Sequence, residues 1–551
     1  MGIGRRYCVR GLRERIFRLF FCLCTFPVRS SFQLSFNLSD ITVLLHREFV
    51  ITLSTPGQQK FIAAFSAHQA THPFGKVKPM THLLTDEQIQ QFILDGYITV
   101  QANESPDLHR EVYKHLETVY EEEGNIGNNI LPRIPQIQQV FDQPVVRGAL
   151  TSLLGPDYIL NPHRHGHLNP AGSKGQAWHK DCYVYDHNIR HPRFHWVLAF
   201  YYPQDTTEAM GPSGIIPGKQ HYKTISDVDP EKTEEAAHAI CGPAGTVALI
   251  HFDSWHRATP NISDKKRYML KFQFARLHEP QEPDWTHIRR DWTPSEQHAN
   301  PEVSLDVWHW LCGQRDDRLP ISNVDEKGLF DADEKVRLNT AYQLAADESS
   351  VALLIGAMRQ ETLNAVNETT AKTTDNAHGT NPTAGAAARA LSTMGATAIP
   401  ALLETLHDGH WWVRAMSADV IARIGAEAQT ADAALIETLT DDHWWVRRNA
   451  LEALRALAEV PTAAVPRIIQ TLHDPDYRVR RNAALALCRV GEAGDPAVPD
   501  LVQMLEEENR YNRFYAALAL RRIGTVQAQD AVMDALFTAR WCPVTTSGSR
   551  Y

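Results

Sequence analysis

The sequence predicts two architectures in one chain: a β-rich double-stranded β-helix of the jelly-roll type with flanking helices, followed by an all-α solenoid. Three observations carry this. After Tyr158 the apolar period shortens towards two in YILNPHRHGHLNP, QAWHKDCYVYD, RFHWVLAFYYP, SGIIPG, GTVALIHF and RYMLKFQFAR, short runs divided by Gly, Pro and Asp. That many short strands suit a sandwich or barrel with helices packed outside. Farther on, LHDGHWWVRAMSADVIARIG, LTDDHWWVRRNALEALRALA, LHDPDYRVRRNAALALCRVG and LEEENRYNRFYAALALRRIG begin at Leu406, Leu439, Leu472 and Leu505, a constant step of 33 residues. A period of this length means stacked helical hairpins that bury their apolar faces on one another. Lastly, 551 residues exceed what one hydrophobic core normally organises.

In chain order, residues 1–79 open with a basic stretch and an apolar run, Leu19 to Val28, shorter than the ~20 residues that cross a bilayer. They show no domain-like periodicity and read as a non-domain extension, either a spurious start or a targeting segment. Met80 stands just before THLLTDEQIQQFILDGYITV, where Thr85 and Gln88 occupy capping-box positions of a first helix. Leu108–Glu123 is a second amphipathic helix. A catalytic domain is assigned to 80–300, a closing extension rich in Trp, Asp and Pro to 301–330, a degenerate helical repeat to 331–365, a polar flexible insert to 366–385, clear repeats to 386–535 and a tail to 536–551.

Composition narrows the functional classes. Hydrophobic content of 43% with 22% charged residues is that of a soluble globular protein, and a net charge of −10 argues against nucleic acid as the main partner. No membrane role is expected. Cys8, Cys22, Cys24, Cys182, Cys241, Cys312, Cys488 and Cys542 are scattered without a CxxC pair, which points to a reducing, cytoplasmic setting and no structural zinc, with targeting by residues 1–79 left open.

The stretch QAWHKDCYVY places His179 and Asp181 two residues apart, so an extended chain aims an imidazole and a carboxylate at one point. Such a pair alone is weak evidence for metal. A third ligand is available in GTVALIHFDSWHRATPNISDKKRYMLKFQFAR, where His256 follows a strand and a second strand begins at Arg267; read as a hairpin, the arrangement returns Arg267 towards His256. Two histidines and one carboxylate leave three positions open, the arrangement suited to non-haem Fe(II), whereas zinc hydrolases usually keep one. The planar fork of an arginine suits bidentate capture of a distant carboxylate.

WHKD at 178–181, MGPSGIIPGKQHY at 210–222, and His256 followed by Pro260-Asn261 and Arg267 resemble the phytanoyl-CoA dioxygenase family over about residues 80–290. That resemblance implies a cupin-like fold, an Fe(II)- and 2-oxoglutarate-dependent dioxygenase, His179, Asp181 and His256 as iron ligands, and Arg267 on the far carboxylate of 2-oxoglutarate. It further implies consumption of O2 and oxidative decarboxylation of the cosubstrate to succinate and CO2, coupled to hydroxylation of a small-molecule substrate. Because the carboxylate ligand is present, where related halogenases carry a small residue, the chain resembles a hydroxylase. Lys219 and Gln220 depart from the family turn, which normally ends Gly-Ser-His. Ala258 stands where the family often carries a hydroxyl, and Thr259 is the candidate to replace its bond to the cosubstrate.

Tyr183 and Tyr185, on the face of Asp181, and His165 are candidates for the substrate pocket. His163, His165 and His167 alternate on one face, suited to lining a pocket or bonding backbone rather than to a second metal site, and His251 lies within a strand, off the family position. The repeats, over roughly 330–535, resemble HEAT-like units of phycobilisome-lyase-type proteins, an architecture suited to protein partners. Asp408, Asp441, Asp474 and Glu507 recur in register with Arg414, Arg447, Arg480 and Arg513, as an acid-to-arginine ladder between repeats would. Trp412 and Trp445, or their neighbours, are either partner anchors or internal packing. The alternative to an enzyme is a repeat-based interaction scaffold with an inactive oxygenase-like domain.

Overall fold

Thr85 opens the first helix, Asp86–Asp95: its hydroxyl accepts from the Gln88 N–H while the Gln88 side chain accepts from the Thr85 N–H. This reciprocal cap is the one the sequence suggests. The second expected helix runs Pro106–Glu122, with proline in its first turn. The structure, a computed structural model, describes residues 82–538 apart from 104, 182–190, 223–236, 290, 296–297, 315–319 and 371–384. The expectations for residues 1–79, Tyr183, Tyr185, most of the insert and the tail therefore lie outside the described residues.

The described residues form eight strands: β1 (Tyr97–Gln101), β2 (Ile159–Asn169), β3 (Trp196–Tyr202), β4 (Ser213–Ile215), β5 (His238–Ala239), β6 (Thr246–His251), β7 (His256–Ala258) and β8 (Arg267–Ala275). They form a five-stranded antiparallel sheet, β1-β6-β3-β8-β2, and a three-stranded one, β5-β4-β7. The period of two divides β3 between two cores. Leu198, Phe200 and Tyr202 join Ile215, Ala248, Ile250 and Met269, while Val197, Ala199 and Tyr201 pack with Leu249, Leu270 and the helices Asp86–Asp95, Pro106–Glu122 and Pro144–Leu154. This is the expected double-stranded β-helix with helices outside.

Two local expectations need correction. β6 and β8 are not a hairpin, because β3 lies between them and pairs with both. Between them the chain crosses to the small sheet as β7, pairing with β4, before β8 returns on the far side of β3. Nor does QAWHKDCYVYD begin as a regular strand: among its described residues, the ladder is limited to one bridge, His179 to His256, with each N–H donating to the other's carbonyl at 3.0 Å. The residues on the sheet rim are extended without being part of a continuous pairing partner.

The 33-residue step reappears in three dimensions. Long helices begin at Trp411, Trp444, Tyr477 and Arg510, and short ones at Ile399, Asp432, Val465 and Val498. His410, His443, Asp476 and Asn509 cap the long helices by accepting from the N–H two residues on. Arg414 grips Asp441 through Nε and Nη2 at 2.7 and 2.9 Å, Arg447 grips Asp474 at 2.6 and 2.8 Å, and Arg480 grips Glu507 at 2.8 and 2.9 Å. The recurring pairs are thus a ladder from each repeat to the next. Trp412 and Trp445 are buried, Trp411 stacks on His443 with ring centroids 3.6 Å apart, and the Arg478 guanidinium covers Trp444 at 3.4 Å. The tryptophans serve the array, which removes Trp412 and Trp445 as partner anchors. The helix Val351–Thr370 extends into the segment assigned from sequence to the insert.

The described residues form one compact unit, so the array is fastened to the β-rich part. Arginines in the last turns of four of the helices reach across. Arg389 donates to the His221 carbonyl (2.7 Å), Arg455 to the Leu277 carbonyl (2.9 Å), Arg423 to His195 Nδ1 (2.5 Å), and Arg522 to the Asp157 carboxylate (2.7 Å). His195 Nε2 lies 2.8 Å from Glu279, and Glu452 gathers Arg448, Arg455 and Arg423 around it. Burial pushes the Glu452 carboxyl up, but those three guanidinium groups outweigh it and hold it at about 2.

Candidate active site

The site forms where the two sheets open. His256 begins β7, and the bridge to His179 brings the two imidazoles together with ring centroids 4.6 Å apart. Asp181, two residues beyond His179, completes a group whose three donor atoms lie within 4.8 Å of one another. His256 Nε2 is 3.7 Å from Asp181 Oδ1. These are the only three His, Cys, Asp or Glu residues so grouped among the described residues.

Both imidazoles are oriented from behind. Nδ1 of His179 is 3.0 Å from the Ala177 carbonyl and Nδ1 of His256 is 3.0 Å from the Ser254 carbonyl. A carbonyl only accepts, so each Nδ1 carries the hydrogen and each Nε2 offers a lone pair to the centre of the group. His256 Nε2 is buried with no hydrogen-bond partner. Leaving a buried nitrogen unmet costs about 1–3 kcal/mol, a cost that a metal ion at this point would remove. Burial also lowers the His256 pKa to about 4, keeping it neutral and able to ligate at pH 7. Two imidazoles and one carboxylate are a donor set that fits Fe(II).

Lys180, the residue between the two, points the other way. Its ammonium is buried against Asp253 at 2.9 Å and donates to the Gln220 carbonyl at 3.0 Å. It ties the segment bearing His179 and Asp181 to the β6–β7 turn and to the 217–221 turn. Gln220, one of the departures from the family turn, donates in turn to the Ile93 carbonyl at 2.9 Å and anchors that turn on the first helix.

Arg267, at the start of β8, is 1% exposed and lines a cavity of about 230 Å³ shared with His179 and His256. Its Nε and Nη2 donate to the Gly211 carbonyl at 2.9 and 2.6 Å, which fixes the plane of the guanidinium. Gly211 is required there: at φ +67° a Cβ would lie 2.4 Å from Asn169 Nδ2 and 2.7 Å from the Thr259 carbonyl.

The other candidates divide. Thr259 is absent from the cavity wall; its hydroxyl donates to the Pro212 carbonyl at 2.7 Å, while Ala258 and Ser213 line the cavity. Thr259 lies just beyond the end of β7, where its bond to the Pro212 carbonyl holds it off the cavity. His165 stands opposite Lys271 on β8, and His167 lines the cavity. His163 sits in a β-bulge of β2, with Nδ1 2.7 Å from the Tyr511 hydroxyl of the last repeat. His251 is buried, accepts from the Asp253 N–H at Nδ1, and has no place in the three-residue group.

Sequence reasoning missed Lys271. Its ammonium lies 2.7 and 3.0 Å from the two oxygens of Asp181, and it lines the cavity. The signal was present: Arg267, Met269 and Lys271 share one face of a strand that carries Arg267 inward, and a lysine in an otherwise apolar run is uncommon there.

Comparison with known proteins agrees with these features. Residues 84–269 match the family model described as Phytanoyl-CoA dioxygenase (PhyH), and segments 376–455, 433–498 and 465–542 match HEAT repeats. A curated relative, the probable alpha-ketoglutarate-dependent hypophosphite dioxygenase of Stutzerimonas stutzeri, is 26% identical over 231 residues, covering 34% of this chain and 78% of the relative. Similar solved structures include the non-heme alpha ketoglutarate dependent carbocyclase SnoK from nogalamycin biosynthesis, at 16% identity and TM-score 0.30, covering 37% of this chain and 88% of that one. EctD from S. alaskensis with bound Fe is 18% identical with TM-score 0.31, covering 39% of this chain and 85% of the other.

Proposed function

From a chain that joins a phytanoyl-CoA dioxygenase domain to HEAT repeats, we propose an enzyme that hydroxylates a small organic substrate at an unactivated carbon, with His179, Asp181 and His256 holding its iron. Fe(II) and 2-oxoglutarate are the cofactors of this oxygenase fold, and together with O2 they supply the oxidising chemistry. The observation that carries the reading is the buried, unpartnered Nε2 of His256, aimed at His179 and Asp181.

The chain's own residues then have distinct tasks. Hydrogen bonds from Nδ1 to the Ser254 and Ala177 carbonyls hold the two imidazoles in ligating orientation. Arg267, held by Gly211 through two nitrogens, has Nη1 left to receive the far carboxylate of 2-oxoglutarate. Phe200, Met269 and Leu168 surround the polar centre with apolar surface, which limits water and strengthens every charged contact inside.

The repeats suit a protein partner on the surfaces they do not turn towards the oxygenase, and we assign them a second role as a brace in cis. A scaffold with an inactive oxygenase-like domain gains no support from any specific observation, since the metal-binding group and Arg267 are both assembled. The decisive measurement is succinate formed from 2-oxoglutarate by Fe(II)-loaded protein, with His179→Ala alongside. Turnover in the parent that vanishes in the variant, together with its iron binding, supports the assignment; equal succinate from both would sink it.

A further inference from the structure

Three consecutive carbonyls, those of Gln220, His221 and Tyr222, each receive a donor from a different part of the chain. Lys180 Nζ, between His179 and Asp181, donates to the Gln220 carbonyl at 3.0 Å. Trp255 Nε1, beside His256, donates to the Tyr222 carbonyl at 3.2 Å. The third donor comes from the solenoid: Arg389 Nη1 reaches the His221 carbonyl at 2.7 Å, from 168 residues farther along the chain. The two segments that bear the metal-binding side chains and the helical array therefore meet on one short turn.

That turn can transmit position. A peptide unit is planar, so fixing the His221 carbonyl constrains the dihedral angles on either side of it and, with them, the directions of the Gln220 and Tyr222 carbonyls. Other bonds leave the turn little slack: the Gly218 N–H donates to the Asp95 carbonyl at 3.2 Å and the Ile216 N–H to the Trp255 carbonyl at 3.1 Å. Gln220, His221 and Tyr222 are all buried, so a carbonyl that loses its donor there has no bulk water to take in exchange and turns towards another partner.

Both sides of the turn are held as firmly. Lys180 also pairs with Asp253 at 2.9 Å, and the carbonyl of the next residue, Ser254, accepts from His256 Nδ1 at 3.0 Å. Along Asp253, Ser254, Trp255 and His256, successive residues bind Lys180, orient the imidazole, hold the turn and supply that imidazole. On the solenoid side, Arg389 is buried and sits on the helix Ala386–Leu391, where the Ala386 and Ala387 N–H groups each donate to the Glu361 carboxylate at 3.2 Å. Arg389 thus projects from a helix fixed to its neighbour, Val351–Thr370.

We propose that Arg389 is a positioning residue for the metal site: through the carbonyls of Gln220, His221 and Tyr222, the solenoid sets the geometry of His179, Asp181 and His256. This rests on the oxygenase reading and adds to it a route by which the repeats govern iron binding. Arg455 is the control. It makes the same kind of bond, to the Leu277 carbonyl beyond the end of β8, on neither of the segments that bear the metal-binding residues.

The test uses the full-length protein under anaerobic conditions, with Fe(II) titrated in by calorimetry and 2-oxoglutarate added afterwards to develop the iron–cosubstrate absorption. Partners that orient metal ligands directly are worth about 10–100-fold in affinity, and Arg389 acts one residue farther out, so Arg389→Met should raise the Fe(II) Kd about three- to tenfold and shift the absorption band. Arg389→Lys, which keeps a donor on a shorter reach, should fall between that variant and the parent. Arg455→Ala should lower the urea midpoint while leaving the Kd and the band unchanged, a separation that a purely structural role for Arg389 would not give. Trp255→Phe removes the Nε1 donor from Tyr222 and should also weaken iron binding; combined with Arg389→Met, the loss should be smaller than the product of the two single losses. An unchanged Kd in Arg389→Met, an equal weakening in Arg455→Ala, or fully multiplicative losses in the double variant would overturn the proposal. If Arg389→Met does not fold, Arg389→Lys decides, and a Kd equal to the parent's there overturns it. No Fe(II) binding by the parent would instead bring down the oxygenase reading.

Discussion

The solenoid carries two sets of arginines, and they do different work. Arg414, Arg447 and Arg480 each hold the acid one repeat ahead, whereas Arg389, Arg423, Arg455 and Arg522 leave the array and fasten the β-rich part. In the first set the partner recurs with the arginine, so the ladder is written in the sequence. In the second the partners are the His221 carbonyl, His195, the Leu277 carbonyl and Asp157, which share no period. Arginines at similar places in their helices, with partners that do not repeat, mark a junction between unlike architectures.

The sharpest break in that comparison should come from Arg423→Ala. It removes a buried guanidinium from His195, whose other side faces Glu279, and from the cluster around Glu452, so a loss of about 3–5 kcal/mol is expected in chemical denaturation. Arg423→Ala and Arg414→Ala with equal effects would dissolve the distinction.

Acid should separate the two sets as well. His163, on the junction with Tyr511, has its pKa lowered to about 4 by burial, then by Lys271 and Arg510, against ~6.5 in an unfolded chain. The unfolded state therefore binds the proton more readily between those values, and stability is lost as pH falls from about 6.5 towards 4. Asp441, on the ladder, has a lowered carboxyl: burial raises it, but Arg414 and hydrogen bonding outweigh that, so its contribution is lost only as pH falls below the ordinary aspartate range. Thermal melts of the parent and Tyr511→Phe at pH 7 and pH 5 check the order; a junction that holds unchanged to pH 4 contradicts it.

Gly211→Ala tests whether Arg267 depends on a backbone cradle. The strain at φ +67° and the contacts with Asn169 and Thr259 should cost about 1–3 kcal/mol, with KM for 2-oxoglutarate rising more than kcat falls. A variant with unaltered KM would mean that the Gly211 carbonyl does not set the guanidinium. The smallest effect is expected for Arg414→Ala, about 1 kcal/mol by the same denaturation, because its pair with Asp441 is partly open to water.

Much of the β-rich part was legible because strand alternation and the His-x-Asp pattern act through neighbours in sequence. The bridge between His179 and His256 and the placement of β3 between β6 and β8 were not, since each joins segments separated by tens of residues. Lys271 was overlooked for a related reason: on the linear chain it is one charge in an apolar strand, and only its 2.7 Å approach to Asp181 gives it meaning.

By itself, then, the sequence determined the double-stranded β-helix, the 33-residue solenoid and the ladder, and it paired His179 with Asp181, because periodicity and short spacing encode local geometry; His256 and Arg267 were singled out by resemblance to a known family. Tertiary structure alone decided that β7 crosses between sheets, that Thr259 turns from the cavity, that Lys271 meets the carboxylate, and that the solenoid clasps the β-rich part. Those contacts depend on where distant segments come to rest, and no local pattern records the partner that burial will supply.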